Sequence, residues 1–191
     1  VGTVSVANGE MDMKKIISLF CRNYDGDRLV KDEIVHGAEW VIAGEGKATR
    51  KWDGTCCMVR NGRLFKRYEV HPGKTPPVDF EPANTVDEIT GKQQGWRPVS
   101  DGPEDKYHRE AFTGTEPNGT YELCGPKIQS NVENFDRHVL IPHGTHPVDA
   151  PRTFGELRKW LETAGIEGVV WHHDDGRMVK IKAKDFGLRR S

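Results

Sequence analysis

The alternation of apolar and polar positions divides the chain unevenly. Residues 13–21, MKKIISLFC, space their apolar residues as one face of a helix and predict a short amphipathic helix. Residues 36–48 include WVIAGEG, which predicts a buried strand ending in a glycine turn. GTCCMVR, then Asn61-Gly62, then RLFKRYEV predicts a hairpin closed by a two-residue turn. Residues 71–118 are rich in proline, glycine and polar residues and predict a long surface excursion with one helix near 85–92. GTYELCG (119–125) and DRHVLIPHG (136–144) predict strands. The most helical stretch is 153–164, TFGELRKWLETA, with Thr153 and Glu156 as a capping box and Gly165 as the stop. IEGVVWHH, DDG and RMVKIKAK predict a second hairpin. Strands outnumber helices and pair as hairpins, so the expected class is α+β built on antiparallel sheets flanked by helices.

Composition narrows this picture. The 191 residues are 35% hydrophobic and 30% charged, a globular balance with enough chain for one sizeable core or two small ones. The net charge of -1 excludes a polycation, so nucleic acid would have to be met by a local basic surface. No apolar run approaches the ~20 residues of a membrane span. The first residues lack the basic-then-apolar order of a signal peptide. Met11 reads as a natural start, with 1–10 an expression remnant or disordered lead and 11–191 one folded domain. The four cysteines, Cys21, Cys56, Cys57 and Cys124, form no C-x-x-C pair, which implies a reduced, intracellular protein, cytoplasmic or nuclear.

Three strand-borne stretches carry chemistry. In Lys51-Trp52-Asp53-Gly54, strand alternation puts Lys51 and Asp53 on one face. A lysine attacks an electrophile only when unprotonated, and Arg50, Lys180 and Lys182 could supply the neighbouring positive charge that favours this state. Gly54 would let backbone and ligand come close. In the second hairpin, Glu167 and the pair Lys180 and Lys182 suit a phosphate with its hard cation, or equally a cross-strand salt bridge. In YELCG, Glu122 faces away from Leu123 and on its own reads as a wet-face residue. His138, His143, His146, His172 and His173 crowd in sequence, and surface or nucleobase contacts are a better expectation for them than zinc.

Taken together, KWDG at 51–54, YELCG at 121–125, EGVV at 167–170 and KIK at 180–182 resemble, in order and spacing, the covalent nucleotidyltransferase superfamily of ATP-dependent ligases and mRNA capping enzymes. The resemblance covers roughly residues 40–186 and implies an ATP-grasp-like nucleotidyltransferase domain. It implies that Lys51 attacks the α-phosphate of ATP to form a lysyl-adenylate, and that Asp53 orients Lys51. It further implies that Glu122 holds the ribose hydroxyls or metal, Glu167 holds Mg²⁺ or Mn²⁺, and Lys180 and Lys182 clamp the α-phosphate. Arg67 would meet ribose or the acceptor phosphate, with Arg63 and Lys66 as rivals. Phe135 and His138 are candidates to lie against the adenine, and Arg50 to engage a phosphate. The chain ends nine residues after Lys182, so no appended oligonucleotide-binding barrel is expected, and Lys47, Arg50, Lys74, Lys106 or Arg109 would have to serve the pyrophosphate.

The whole is similar to compact single-domain RNA ligases. These imply a monomer that joins RNA with a 5′-phosphate to RNA with a 3′-hydroxyl, away from any membrane. A capping-type guanylyltransferase, a minimal DNA ligase and a non-catalytic nucleic-acid-binding domain on the same fold remain alternatives.

Overall fold

The computed structural model describes residues 16–189. The expected lead at 1–10, Met11 and residues 13–15 of the expected first helix lie outside the described residues.

The elements are β1 (Ile17–Ser18), β2 (Phe20–Arg22), β3 (Val30–Ile34), α1 (Glu39–Ile42), β4 (Lys47–Lys51), β5 (Thr55–Arg60), β6 (Arg63–Val70), β7 (Glu81–Pro82), β8 (Gln93–Pro98), α2 (Lys106–Ala111), β9 (Gly119–Cys124), β10 (Val139–Pro142), α3 (Phe154–Ala164), β11 (Gly168–His172) and β12 (Met178–Lys182). The architecture is α+β, rich in sheet, and no sheet closes into a barrel among the described residues. The described chain forms two compact units, one of residues 16–52 with 144–189, the other of residues 53–143. The backbone passes between them at Trp52-Asp53 and again at His143-Gly144.

In the first unit the sheet order is β1-β12-β11-β4. The predicted hairpin β11–β12 forms, with Gly168 opposite Lys182 and Val170 opposite Lys180. β4 runs antiparallel on the other side of β11, with Lys51 opposite Gly168. Residues paired directly across antiparallel strands point to the same side. One face therefore carries Ala48, Val169, Trp171, Val179 and Ile181, all buried in one core with Leu157 and Leu161 of α3. The other face carries Lys47, Thr49 and Lys51, then His172, Val170 and Gly168, then Met178, Lys180 and Lys182.

Two predictions are corrected in this unit. Residues 17–22 are strand rather than helix, because β1 finds a parallel partner in β12 and β2 an antiparallel one in β3. A stretch of nine residues has too little intrinsic helicity to resist that pairing. Glu39–Ile42 is a turn of helix, not strand. It buries Trp40 and Val41 with Ala38 and leaves Ile42 exposed, which is a helical rather than an alternating pattern. The guanidinium of Arg152 donates to the carbonyls of Val41, Glu45 and Gly46, closing the turn into β4. α3 forms as predicted and stops at Gly165, whose φ of 64° is left-handed. Its cap differs, since the Thr153 hydroxyl donates to the Glu156 carboxylate at 2.6 Å and caps no backbone N–H.

In the second unit the sheet order is β10-β9-β5-β6-β8-β7. The β5–β6 hairpin turns at Asn61 and Gly62, both with positive φ (52° and 70°), as a two-residue turn matched to strand twist requires. The excursion after β6 is not structureless. It supplies β7 and β8, with Trp96 buried at 3%, and α2. No helix forms near 85–92, where Asp87 instead caps a tight turn by accepting from the Ile89 and Thr90 amides. QQGWRP carries no alternation, and pairing to β6 and β7 makes it a strand.

Register separates the two faces of this sheet. Cys57, Val59, Leu64, Tyr121 and Leu123 pack on one side with Ala111 of α2. On that side Lys66 Nζ meets Asp105 Oδ1 at 2.6 Å, and Asp105 is only 1% exposed. The Ser100 amide and hydroxyl also donate to Asp105, at 2.8 and 2.9 Å. Burial alone would raise the Asp105 carboxyl, but Lys66 and Ser100 outweigh it and hold the group below its ordinary 3.8. Burial likewise keeps His108 below its ordinary 6.5. In both cases the unfolded chain binds more protons, so stability falls as pH falls. Asp105 contributes fully above pH 3.8 and loses its contribution as pH drops toward its folded value. Denaturant melts at a series of pH values are expected to show Asp105→Asn less stable by about 3 kcal/mol at neutral pH. The variant should also show a shallower acid slope; an unchanged slope would remove Asp105 as its source.

Candidate active site

Four of the residues singled out in the sequence stand together on the polar face of the first unit. Lys51 is the last residue of β4, and Glu167 sits immediately before β11. Lys51 Nζ lies 2.7 Å from Glu167 Oε2, with the side chains 23% and 13% exposed. Gly168 separates Lys51 from Lys182 across the sheet, so no side chain stands between the two lysines. The spacing of three adjacent strands sets their Cα atoms about 10 Å apart. Lys180 lies one pleat further along the same face.

Lys182 is half-buried, and burial first, then Lys184 and Lys51, push its amine below the usual lysine value against Asp185 and Glu167. A face of lysines with one carboxylate is suited to a polyanion that brings its own cation.

β4 ends at Lys51, so Asp53 is placed by the following bend rather than by strand alternation. Arg50 stacks its guanidinium 3.9 Å over the Trp52 ring, and the edge of His146 meets that ring at 5.2 Å. The Arg50 amide donates to the His146 carbonyl at 2.7 Å. These contacts brace the residues on either side of Lys51.

Asp53, Arg67, Glu122, Phe135 and His138 belong to the second unit. Glu122 pairs in register with Cys56 and Ile141, on the face opposite the Lys66–Asp105 pair. Its Oε2 is 2.8 Å from His143 Nε2. Of the three basic candidates on β6, Arg63 and Arg67 point to the Glu122 face, and Lys66 is spent on Asp105 behind it. Arg67 is exposed, and its Nε donates to Gln94 Oε1 at 2.8 Å. The close approach expected at Gly54 is real, but it is to the chain. A Cβ there would lie 2.2 Å from the Leu123 carbonyl and 2.9 Å from Glu122 Cγ.

Phe135 is held by Asn131, whose amide accepts from its N–H and donates to its carbonyl, both at 3.1 Å. The His138 side chain is 7% exposed, stacked on Tyr107 at 4.4 Å and bonded to Glu110 at 2.8 Å.

Several partners were not foreseen. His143 serves Glu122, and His172 Nε2 bonds the Thr49 hydroxyl at 3.0 Å. His173 meets Glu45 at 2.8 Å. Among the described residues no group of three or more His, Cys, Asp or Glu side chains is arranged to hold a metal ion, and the four cysteines form no disulfide. Asp185, buried behind Lys182, was also missed, though its place three residues after a strand end is a local capping signal.

Residues 113–191 match the RNA ligase 1 family. The matched stretch contains Glu122, Glu167, Lys180 and Lys182. An RNA ligase 1 of Danio rerio is 32% identical over 80 residues, 37% of this chain and 25% of that protein. An RNA ligase 1 of Mus musculus is 24% identical over 218 positions, 74% of this chain and 67% of that protein. An RNA ligase 1 of Pongo abelii is 34% identical over 79 residues, 36% of this chain and 24% of that protein. The more similar stretches thus span about a quarter of the curated relatives they match. These findings support an RNA ligase family, and the covalent nucleotidyltransferase superfamily fits them. Among the described residues no helix is long and apolar enough to cross a membrane.

Proposed function

We propose that the chain carries the adenylyl-transfer core of an ATP-dependent RNA ligase, on an ATP-grasp-like nucleotidyltransferase domain. The observation that most supports this reading is the Lys51–Glu167 pair at 2.7 Å on a sheet face shared with Lys180 and Lys182.

Lys51 must lose a proton before it attacks; its Nζ, held 2.7 Å from Glu167 Oε2, is kept in place on the face where the phosphate would lie. The Nζ lone pair then forms a bond to the α-phosphorus of ATP. The bond from that phosphorus to the bridging oxygen breaks, and pyrophosphate leaves with the electron pair. Next, a 5′-phosphate oxygen of RNA attacks the same phosphorus and displaces Lys51. Finally, the 3′-hydroxyl of a second RNA end attacks the 5′-phosphorus, forms the phosphodiester and releases AMP. Such transfers need positioning and neutralised charge, which Lys180 and Lys182 supply.

The hard carboxylate oxygens of Glu167 fit Mg²⁺ or Mn²⁺ arriving with phosphates and water, and the ion would add charge neutralisation there. Glu122, oriented by His143, would accept the ribose hydroxyls, and Arg67 would meet the acceptor phosphate. Phe135 would offer its ring to the adenine. Asp53 would orient Lys51, while Arg50, paired opposite Val169 and stacked on Trp52, faces away from the lysines and would take no phosphate there.

The test is label transfer. With Mg²⁺, α-labelled ATP is expected to label the protein, and RNA with 5′-phosphate and 3′-hydroxyl ends to discharge it as sealed product. Labelling by GTP in place of ATP would make it a guanylyltransferase. Discharge only by nicked DNA would make it a DNA ligase. No label from either nucleotide would favour a silent binding domain.

A further inference from the structure

A buried carboxylate bonded to the backbone of Lys182 has no part in the transfer proposed above. Asp185 is 3% exposed, in the 3-10 turn Ala183–Phe186 that follows β12. Its Oδ2 accepts the backbone N–H of Lys182 at 2.9 Å. Its Oδ1 accepts from Arg22 Nη2 at 2.7 Å, and Arg22 Nη1 donates to the Arg28 carbonyl at 2.6 Å. One residue on, the Ala183 amide donates to the Glu167 carbonyl at 2.9 Å.

Lys182 is the last residue that the ladder pairs, opposite Gly168, and these bonds hold the chain where the ladder stops. A buried carboxylate costs free energy unless it is paired and hydrogen-bonded, and both conditions are met here. Apart from Arg22, its bonding is directed at the backbone of Lys182.

We propose that Asp185, held by Arg22, is the positioning residue that aims Lys182 at the phosphate; this rests on the adenylyl-transfer reading above. The carboxylate does not contact the nucleotide. It fixes where the Lys182 side chain leaves the sheet, on the opposite side of Gly168 from Lys51. Charge that develops only as pyrophosphate leaves is sensitive to such placement, so the effect falls on the maximal rate rather than on ATP binding.

The experiment compares Asp185→Ala, which removes the acceptor, with Asp185→Asn, which keeps an oxygen there, and with Arg22→Ala. Glu162→Ala, in the surface pair with Arg158, is the control. Each is measured for label transfer from α-labelled ATP over a range of ATP concentrations, for thermal melting, and for the NMR resonances of Lys182 and Lys180.

Asp185→Ala is expected to lose about ten- to a hundredfold in maximal rate, as misplacement by an ångström can cost. Half-saturating ATP should stay within about twofold. Asn should restore most of the rate, Arg22→Ala should fall between, and the Lys182 resonances should move while those of Lys180 hold. A folded Asp185→Ala with the wild-type maximal rate overturns the proposal. So does a loss that is equal in Ala and Asn and follows the melting temperature. If the wild type takes no label, the adenylyl-transfer reading fails; the resonances then decide the positioning alone, an unmoved Lys182 overturning it.

Discussion

Lys51→Ala is expected to take no label from ATP while remaining folded. Removing a nucleophile leaves only binding and charge stabilisation, so the rate should fall by at least about a thousandfold. The fold should tolerate the change, because Lys51 ends an edge strand and is 23% exposed. Losing its pair with Glu167 should cost about 1 kcal/mol, a fall of roughly 2–4 °C in melting temperature for a chain of this size. The adduct on the wild type should be acid-labile and base-stable, as a phosphoramidate is. Undiminished labelling of the alanine variant would move the nucleophile to another residue and remove the chemical meaning of the Lys51–Glu167 pair.

Gly168→Ala should be the most damaging small change in the first unit. A Cβ at Gly168 would stand 2.1 Å from the Ile181 carbonyl oxygen and 2.9 Å from Lys182 Cα. Both are backbone, and neither can rotate away as a side-chain tip would. The β11–β12 pair must open at the register point that separates Lys51 from Lys182. Overpacking of this kind costs about 2–3 kcal/mol, so melting should fall by roughly 5–10 °C. Label transfer should fall further than the folded fraction does, because Lys182 is displaced. Gly155→Ala is the contrast: a Cβ there meets nothing within 4 Å, in the first turn of α3, and should be neutral or slightly stabilising. A Gly168→Ala protein that melts and labels like the wild type would show that the strands yield at this point.

Both hairpins were legible because their signals are local. Asn61-Gly62 dictates its own turn, and GVVWH and MVKIK differ in pattern but share a register fixed by the turn between them. α3 was legible for the same reason, through Gly165 and its apolar stripe. What failed depends on partners far away in sequence. IISLFC is strand only because β12 and β3 are beside it, and QQGWRP is strand only because β6 and β7 are.

The site divides the same way. Lys51, Glu167, Lys180 and Lys182 could be named from their motifs, since each motif is short and ordered. Lys66 and Arg67 could not be told apart until register put them on opposite sheet faces. The bonds of Glu122 to His143 and of Asp185 to Arg22 join strands and turns whose pairing no local pattern announces.

The two backbone crossings set an order of assembly. Residues 53–143 are one uninterrupted run, so that unit has all its strands as soon as Pro142 has left the ribosome. The other unit is split around it. Its edge strand β4 is made early, but the strand that must lie beside it, β11, is made more than a hundred residues later. Until then Lys51 is a solvated lysine with no Glu167 to hold it, and the loop to be closed carries a large entropic cost. The inserted unit shortens that search, since a folded block between residues 53 and 143 brings its two ends into a defined relation and spares the chain a loop of that length. On this account Lys51 meets Glu167 only after the whole of the inserted unit has been made.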